Sequence, residues 1–290
     1  MSWRTVVITN RCKLDLSMGY MVVRSEETKR IFVDEIAIVI IENPAVSITG
    51  CLLTELARRK VRVIFCDEKR SPYGELQPYI GSHDSSSKIR TQIAWSDERK
   101  KAVWTQIVTE KIRNQAELLY SFDYITEGDL LSEYIEQIEF GDTTNREGHA
   151  AKVYFNALFG KDFSRGQENA INASLNYGYS LILSAFNRTV CANGYLTQIG
   201  IFHDNMFNAY NFSCDLMEPF RVIVDNEVLG MHLTEFNRDL KYRLISLLNE
   251  TYVINGSEQS LINTIKIYSK SVFDAINDND LSLIRFAKLI

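Results

Sequence analysis

Short apolar segments dominate the first eighty residues. They are rich in Val and Ile and only three to six residues long, a pattern typical of β-strands. The predicted strands cover residues 5–8, 20–23, 31–33, 36–41 and 61–66. The stretch 48–60 differs, because Leu52, Leu53 and Leu56 follow helical spacing before a basic cluster that suits a helix C-terminus. The pattern therefore predicts a β-rich segment interrupted by one helix.

Apolar positions further along the chain recur every three or four residues, which predicts helices. This spacing occurs in the segments 104–112, 177–185, 240–248 and 261–268. Residues 81–87, GSHDSSS, are small and polar, a composition typical of a linker. We therefore predict an α+β protein with a small N-terminal β-rich domain over residues 1–80, a linker over 81–87 and a mainly α-helical domain over 88–290.

The composition agrees with a folded, soluble protein. The 290 residues are 46% hydrophobic and 24% charged, and the five cysteines form no CxxC pair that would indicate a zinc–thiolate site. The longest apolar run covers only residues 36–41, whereas a membrane helix needs about 20 apolar residues. The N-terminus MSWRTVVITNR lacks the layout of a signal peptide, so we expect a cytoplasmic protein without a membrane partner.

Charge is distributed unevenly along the chain. The 32 basic and 37 acidic residues sum to −5, which mildly disfavours nucleic acid as a partner. The stretch 88–113, however, holds seven basic and three acidic residues, whereas 117–139 holds seven acidic residues and no basic one. Local clusters of Lys and Arg bind phosphate backbones, so the basic stretch is a candidate for that role. Solvated helix faces of opposite sign explain the same pattern.

Three segments of the helical domain carry ionisable groups that packing alone does not require. In the first, NREGHAAKVYF, Asn145 is predicted to cap a helix and Glu147 lies in its first turn. A carboxylate there is also favoured by the helix dipole, so taken alone this segment is better explained as a helix cap. Gly148 and the two following alanines leave the backbone of this turn open to close approach.

The second segment, 199–210, contains a histidine. The spacing predicts a helix over this segment, on which His203 shares a face with Ile199, Met206 and Tyr210 and points inward. The neighbouring Asp204 then points elsewhere, roughly 100° around the helix. A packed core histidine would show the same pattern, so this position alone does not decide between structure and chemistry.

The third segment, CDLMEPFR, contributes two acids. Asp215 and Glu218 are three residues apart and share one face of a helix, although an exposed acidic edge has the same spacing. Two carboxylates and one imidazole from three distant segments form a ligand set suited to Mg²⁺ or Mn²⁺, with positions left for water and phosphate oxygens. The spacing between the segments matches no short metal motif, so convergence remains a hypothesis at this point.

These three segments and several others resemble the CRISPR-associated integrase family Cas1, the enzymes of spacer acquisition, in the form found with type II systems. The matching motifs are WRTVVITN, VIFCDEKRSP, HDSSS, NREGHAAKVYFNALFGKDFSR, INASLNYGYSLIL and GIFHDNMFNAYNFSCDLMEPFR. They run in this order from residue 3 to about residue 225. Several long motifs in the right order are more specific than any single pattern.

The resemblance implies an N-terminal domain that forms a homodimer and a helical catalytic domain. It implies assembly with DNA and with a bridging dimer of a second small protein, Cas2; other type II adaptation proteins are further candidate partners. By motif position, the implied ligands of Mg²⁺ or Mn²⁺ are Glu147, His203 and Glu218, with Asp215 as an auxiliary acid. The chain departs from the family pattern at Val222, where proline commonly follows PFR.

The implied activity is transesterification, in which the 3′-hydroxyl of a short duplex DNA, the prespacer, attacks a phosphodiester of a CRISPR repeat. Arginines near the motifs are candidates for holding phosphates, since a planar guanidinium suits bidentate contact, although salt bridges within the protein would use them equally well. Adding the start of the basic stretch, the DNA-contact candidates are Lys88, Arg90, Arg146, Arg165, Arg188 and Arg221.

Two other functions are compatible with the residues. His203–Asp204 and His83–Asp84 are literal HD pairs, as in the metal-dependent HD phosphohydrolases, but only His149 and His232 remain as further histidines. The other alternative is a DNA-binding scaffold without catalysis. Strand joining, phosphate release from nucleotides and binding without chemistry distinguish the three.

Overall fold

The N-terminal part consists of short strands and one helix. The computed structural model describes residues 4–76, 82–231 and 235–290, and the β-rich start and mainly helical remainder confirm the predicted fold class. The strands are β1 (Arg4–Ile8), β2 (Lys13–Ser17), β3 (Tyr20–Arg24), β4 (Thr28–Phe32), β5 (Ile36–Ile41), β6 (Ser47–Ile48), β7 (Arg62–Cys66) and β8 (Pro72–Glu75). The helix is α1 (Gly50–Arg58), and the Thr49 side chain caps it by accepting a hydrogen bond from Leu52 N–H.

The strands form two four-stranded sheets. In the first, the order is β1-β5-β7-β8; β1, β5 and β7 run parallel and β8 closes the edge antiparallel. In the second, the order is β4-β3-β2-β6, with β2, β3 and β4 as an antiparallel meander and β6 parallel to β2.

Strand β5 is buried along its whole length because both of its faces are covered. Val39 and Ile41 face a core shared with the second sheet and α1. Ile38 and Ile40 point the other way, into the large core formed with the helices. This double burial explains why the strand reads as a continuous apolar run rather than an alternating one.

The remainder of the chain is mainly helical. Its elements are α2 (Ser85–Ile93), α3 (Asp97–Ser121), α4 (Ile125–Glu136), α5 (Arg146–Phe159), α6 (Ala170–Ala192), α7 (Asn211–Met217), α8 (Arg221–Leu229), α9 (Arg238–Ser246), β9 (Thr251–Ile254), β10 (Ser257–Ser260) and α10 (Leu261–Asp278). A single 3₁₀ turn, Glu218–Phe220, joins α7 to α8. Helix α3 runs through the middle and packs against α4, α5, α10 and this turn.

The predicted boundary between the two parts begins at residue 81, and residues 77–81 lie outside the described residues. Residues 85–87 of the predicted linker form the first turn of α2. The two parts also bond directly, since Arg62 donates from Nε to the Ser184 carbonyl oxygen at 3.1 Å. Within the described residues, no helix has the length and apolar character required to cross a membrane.

Candidate functional site

Glu147 projects from the start of α5, where two side chains fix the first turn. The Asp142 carboxylate accepts hydrogen bonds from the backbone N–H groups of Arg146 (2.7 Å) and Glu147 (3.1 Å). Asn145 accepts from Gly148 N–H at 3.2 Å, which makes it the predicted cap. The Asn145 side chain also covers Gly148, so the open space expected there is filled from within the chain.

His203 lies on a loop, and the predicted helix over 199–210 is wrong. The segment consists of turns and bends, and Met206, expected on an inner face, is 87% exposed. Asparagine side chains set its course: Asn211 donates from Nδ2 to the carbonyl oxygens of Gln198 (3.1 Å) and Asn205 (3.0 Å). This loop geometry places His203 by specific hydrogen bonds rather than by helical periodicity.

Asp215 holds the imidazole of His203. Its fully buried carboxylate accepts hydrogen bonds from the N–H groups of Ile201 (2.6 Å), Phe202 (3.1 Å) and His203 (3.0 Å). The same carboxylate lies 2.5 Å from His203 Nδ1, and this hydrogen bond raises the pKa of His203 above its ordinary value despite partial burial. The arrangement leaves Nε2 of His203 as the nitrogen available to a ligand.

The loop leaves no room for a larger residue beside this pair. A Cβ atom added at Gly200 would lie 2.3 Å from the carbonyl oxygen of His203 and 2.7 Å from a carboxylate oxygen of Asp215. On the other side, Phe202 stacks on the buried Trp104 with ring centroids 4.3 Å apart. His203 is therefore held both by its hydrogen bonds and by the packing of its neighbours.

Glu218 is the buried acid of the site. Arg221 binds its carboxylate through Nε (3.0 Å) and Nη2 (2.9 Å), and Lys111 Nζ lies 2.5 Å from Oε2. Burial alone would raise the pKa of Glu218, but Arg221 and Lys111 outweigh it and lower the pKa to about 2. The carboxylates of Asp215 and Glu218 do not share one partner. Asp215 bonds the His203 loop, whereas Glu218 bonds Lys111 and Arg221.

Lys111 joins Glu218 to Glu147, and sequence reasoning missed it as a site residue. Its ammonium on α3 contacts Oε1 of Glu147 as well as Glu218, and its pKa is raised because these two carboxylates outweigh the effect of burial. A signal was present in the pattern, because Lys111 falls on the apolar stripe of α3 that contains Trp104 and Ile107. A charged residue on such a stripe indicates a buried partner.

Two of the predicted ligands, Glu147 and Glu218, approach each other, although the three do not form a ready-made metal site. Among the described residues, no three His, Cys, Asp or Glu side chains stand in a metal-ligating arrangement. Carboxylate oxygens of Glu147 and Glu218 nevertheless reach the same ammonium, which keeps them within about 6 Å of each other. The negative charges of Glu218 and Glu147 also help to raise the pKa of His203. The donor set of two carboxylates and one imidazole fits Mg²⁺ or Mn²⁺ once Lys111 Nζ shifts.

The arginines expected near phosphates make contacts within the protein. Arg165 bonds the amide oxygens of Asn172 and Asn176, and Arg188 donates to the Lys60 carbonyl oxygen at 2.5 Å. The guanidinium of Arg146 lies over the ring of Tyr134 at 5.3 Å. Arg221 is committed to Glu218, as described above.

The basic stretch 88–113 covers most of α2 and most of α3, and its cations point in different directions. Arg90 is exposed, whereas Lys88 lies 5.6 Å from the ring centroid of Tyr195. Arg99 donates to the carbonyl oxygen of Asn277 at 3.0 Å, and Lys111 turns into the site. A surface track would therefore use only part of this stretch.

The literal HD pairs gain no support from the geometry. The carboxylate against the imidazole of His203 belongs to Asp215, whereas the sequence neighbour Asp204 is exposed. His83 is exposed as well, and Asp84 accepts a hydrogen bond from the hydroxyl of Ser82 at 2.5 Å.

Comparison with known proteins identifies the family. The family model described as CRISPR associated protein Cas1 matches residues 5–240. The chain belongs to the Cas1 family. The CRISPR-associated endonuclease Cas1 of Neisseria meningitidis serogroup C (strain 8013) is 31% identical over 296 residues, which cover 100% of this chain and 97% of that protein. The predicted resemblance is thereby confirmed.

Solved structures share the Cas1 fold over nearly the whole chain. A casposase bound to an integration product superposes with a TM-score of 0.75 at 17% identity, covering 98% of this chain and 93% of that one. A Cas6-RT-Cas1–Cas2 complex gives a TM-score of 0.75 at 16% identity, covering 97% of this chain and 36% of that much longer one. At such identities the likeness concerns the fold.

Proposed function

We propose that this Cas1 chain is a divalent-metal-dependent DNA integrase and endonuclease of CRISPR adaptation, which joins 3′-hydroxyl ends of short duplex DNA into a repeat array. The observation that carries the proposal is the orientation of His203. Asp215 occupies Nδ1 and leaves Nε2 for a metal, a carboxylate–histidine arrangement that is common at metal sites. Glu147 and Glu218 supply oxygen ligands on the same side of α3.

The chemistry requires charge neutralisation at a phosphodiester. A divalent cation held by Glu147, His203 and Glu218 would polarise the phosphate and lower the pKa of the attacking hydroxyl. In the reaction, a bond forms from the 3′ oxygen to phosphorus, the bond to the repeat strand's 3′ oxygen breaks, and one proton passes from the attacking to the leaving oxygen. The number of phosphodiester bonds is unchanged, so no ATP is consumed.

The charges around the site suit a phosphate only with a cation added. With the imidazole of His203 neutral, as metal coordination requires, Glu147, Glu218 and Asp215 carry three negative charges, and Lys111 and Arg221 carry two positive ones. The formal charge of −1 would repel DNA, whereas a divalent ion changes it to +1. This favours a metal requirement for holding the phosphate at the site.

The proposed partners are DNA, a second copy of this chain and a Cas2 dimer. The casposase and the Cas6-RT-Cas1–Cas2 complex, which share the fold, are described with an integration product and with Cas2. Exposed aromatic rings on the second sheet support a dimer through the N-terminal half. Tyr20 and Phe32 are 38% and 40% exposed, and their ring centroids lie 5.3 Å apart. Isolated exposed rings are common, but these two are adjacent, and Met18, just before β3 along the chain, is 91% exposed as well.

A strand-transfer assay tests the function. The protein, its cognate Cas2 and Mn²⁺ are incubated with fluorescent duplex DNA and a plasmid that carries the repeat. Joining should occur with 3′-hydroxyl ends and disappear with dideoxy ends, which lack the nucleophile. Glu147→Gln, His203→Ala and Glu218→Gln should each reduce joining at least about a hundredfold, since each removes a ligand. Asp204→Asn, an exposed neighbour of His203, serves as the matched control.

The outcomes separate the alternatives. Joining that persists in any one of the three variants contradicts the role of that residue. Release of phosphate from nucleotides without joining would favour the HD phosphohydrolase, and DNA binding without chemistry in Mg²⁺ or Mn²⁺ would favour the scaffold.

A further inference from the structure

Lys111 stands between the two carboxylates of the proposed metal site. Its ammonium contacts Oε1 of Glu147 and lies 2.5 Å from Oε2 of Glu218. The three residues come from α3, α5 and the 3₁₀ turn after α7, so one side chain connects three separate elements. The Lys111 side chain is 8% exposed, which holds it away from bulk water.

Neutralising Glu218 does not by itself require Lys111. Arg221 already binds both oxygens of that carboxylate at 2.9–3.0 Å, in the geometry that suits an arginine–carboxylate pair. What Lys111 adds is a link to Glu147, whose side chain is 27% exposed. The link holds the partly exposed carboxylate of Glu147 close to the buried carboxylate of Glu218.

A metal ion that used both carboxylates would meet the ammonium. Metal–oxygen distances for Mg²⁺ or Mn²⁺ are about 2 Å, so an ion bridging Glu147 and Glu218 must lie within a few ångströms of the present position of Nζ. At an effective dielectric constant of about 20, charges at such distances repel strongly. The lysine stem, with four rotatable carbons, allows Nζ to withdraw without backbone movement.

We propose that Lys111 is a built-in counter-ion of the metal site, which keeps Glu147 and Glu218 at ligand spacing and competes with the divalent cation for them. The inference rests on the proposed function, because it assumes that these carboxylates bind a metal. Lys111 is on this view a positioning residue that sets metal affinity. Removing its charge should therefore tighten metal binding, which is the opposite of the effect expected from losing a purely structural contact.

The test measures Mn²⁺ binding directly, without an activity assay. Metal-free full-length protein is titrated with Mn²⁺, and the free ion is followed by its electron paramagnetic resonance signal. Lys111→Met should lower the Kd for Mn²⁺ about tenfold or more, because a nearby positive charge is removed. Lys152→Met is the matched control, since Lys152 is exposed on the same helix as Glu147 and the change in net charge is equal. Its Kd should stay within about twofold of the parent value, because exposed charges are screened.

A second variant covers the case in which Lys111→Met does not fold. Lys111→Gln retains neutral hydrogen-bond donors and should also tighten Mn²⁺ binding; circular dichroism reports the folded state of each protein. If the folded variants bind Mn²⁺ equally or more weakly than the parent, the competition is refuted. If neither variant folds even at saturating Mn²⁺, Lys111 is a structural residue and the inference is likewise overturned.

Failure of this inference can be told apart from failure of the proposed function. If the parent binds Mn²⁺ and Glu147→Gln or His203→Ala weakens binding, the metal site stands whatever Lys111 does. If the parent binds no Mn²⁺, both the metal site and the role of Lys111 are wrong.

Discussion

Asp215 shows how one buried carboxylate can organise a site without serving as its ligand. It accepts three backbone hydrogen bonds from the loop at 201–203 and one from the imidazole, so all of its bonding serves His203. A neutral amide could replace only part of this, because an amide has a single acceptor oxygen. The negative charge of Asp215 also favours the protonated imidazole of His203. The strength of the contact between Asp215 and the loop therefore depends on pH.

The first prediction concerns the pKa of His203. In the metal-free protein it should exceed the ordinary value of 6.5, because the Asp215 hydrogen bond outweighs the effect of burial. Asp215→Asn should lower it, since burial is then opposed only by the smaller effects of Glu218 and Glu147. Titration of the imidazole Hε1 resonance by NMR measures both values, with His203→Gln used for assignment. Equal pKa values in the two proteins would show that Asp215 does not control the imidazole.

The sign of this shift determines the pH dependence of stability and of metal binding. A pKa raised in the folded state stabilises the protein below pH 6.5, and the contribution is lost as the pH rises through the folded pKa. Metal coordination requires the neutral imidazole. Mn²⁺ affinity should consequently rise with pH through the pKa of His203.

At the scale of single elements, the N-terminus of α5 decides where Glu147 points. Asp142 and Asn145 satisfy the N–H groups of the first turn from two sides. Such groups have no partners within the helix itself. The double cap therefore fixes the turn on which the proposed ligand stands.

The second prediction follows from this cap. Asp142→Ala should reduce the free energy of unfolding by about 1–2 kcal/mol, because two backbone N–H groups lose their acceptor. It should also weaken Mn²⁺ binding by releasing Glu147. Urea denaturation and the Mn²⁺ titration measure the two effects. Asp142→Asn, which keeps one acceptor oxygen, should fall between the parent and Asp142→Ala; parental values for the alanine variant would contradict the prediction.

Sequence periodicity predicted the long elements well and the connecting loop badly. Helix α3 repeats its apolar positions over many turns and β5 is uniformly apolar, so the burial of each element can be predicted from its own sequence. Strand β8 contains Pro72 and Gly74, and it forms because it pairs with β7, which no local pattern reveals. In 199–210 a few apolar positions happen to follow helical spacing although no helix forms. The asparagines, which favour turns, were the better indication of the loop.

The candidate site shows the same division. Residues attached to motifs, namely Glu147, His203 and Glu218, were predicted, and the structure brings the two carboxylates to one ammonium. The ammonium itself was not predicted as part of the site. Lys111 carries no motif, and its partners lie 36 and 107 residues away along the chain. Such a contact follows from tertiary packing and not from local spacing.

For the whole molecule, stability should depend on a further buried acid, Asp225. Asp225 on α8 accepts hydrogen bonds from the hydroxyl groups of Tyr154 (2.9 Å) and Tyr179. Burial raises its pKa from the ordinary 3.8 to about 6, although these hydrogen bonds and the nearby Arg221 act in the opposite direction. A raised pKa means that the folded state prefers the protonated carboxyl.

The third prediction uses this preference. The contribution of Asp225 to stability is fully present below pH 3.8 and is lost as the pH rises through about 6. The stability of Asp225→Asn relative to the parent should therefore increase from pH 4 to pH 7, by up to about 3 kcal/mol. Urea denaturation at several pH values measures the difference, with the exposed Asp204→Asn as control. A difference that does not vary with pH would exclude a perturbed pKa.

The fourth prediction concerns assembly. If the N-terminal sheet forms the proposed homodimer, replacing Tyr20 and Phe32 by Ser should shift the protein towards monomer, because the interface loses apolar area. Analytical ultracentrifugation measures the mass. Phe122→Ser removes a ring of similar exposure, 42%, at the end of α3 and should leave the mass unchanged. A dimer that survives the double substitution would exclude this surface as the interface.

The double burial of β5 has a consequence for any attempt to divide the chain. Ile38 and Ile40, with Ile64 from the adjacent strand, pack into the large core formed with the helices. A fragment starting at residue 82 would lack these isoleucines, so the helical residues that pack against them would be exposed to water. The exposed apolar surface would favour aggregation. Truncations designed to isolate the helical half should therefore retain the parallel sheet. Otherwise other residues must be introduced to cover the apolar surface that these isoleucines bury.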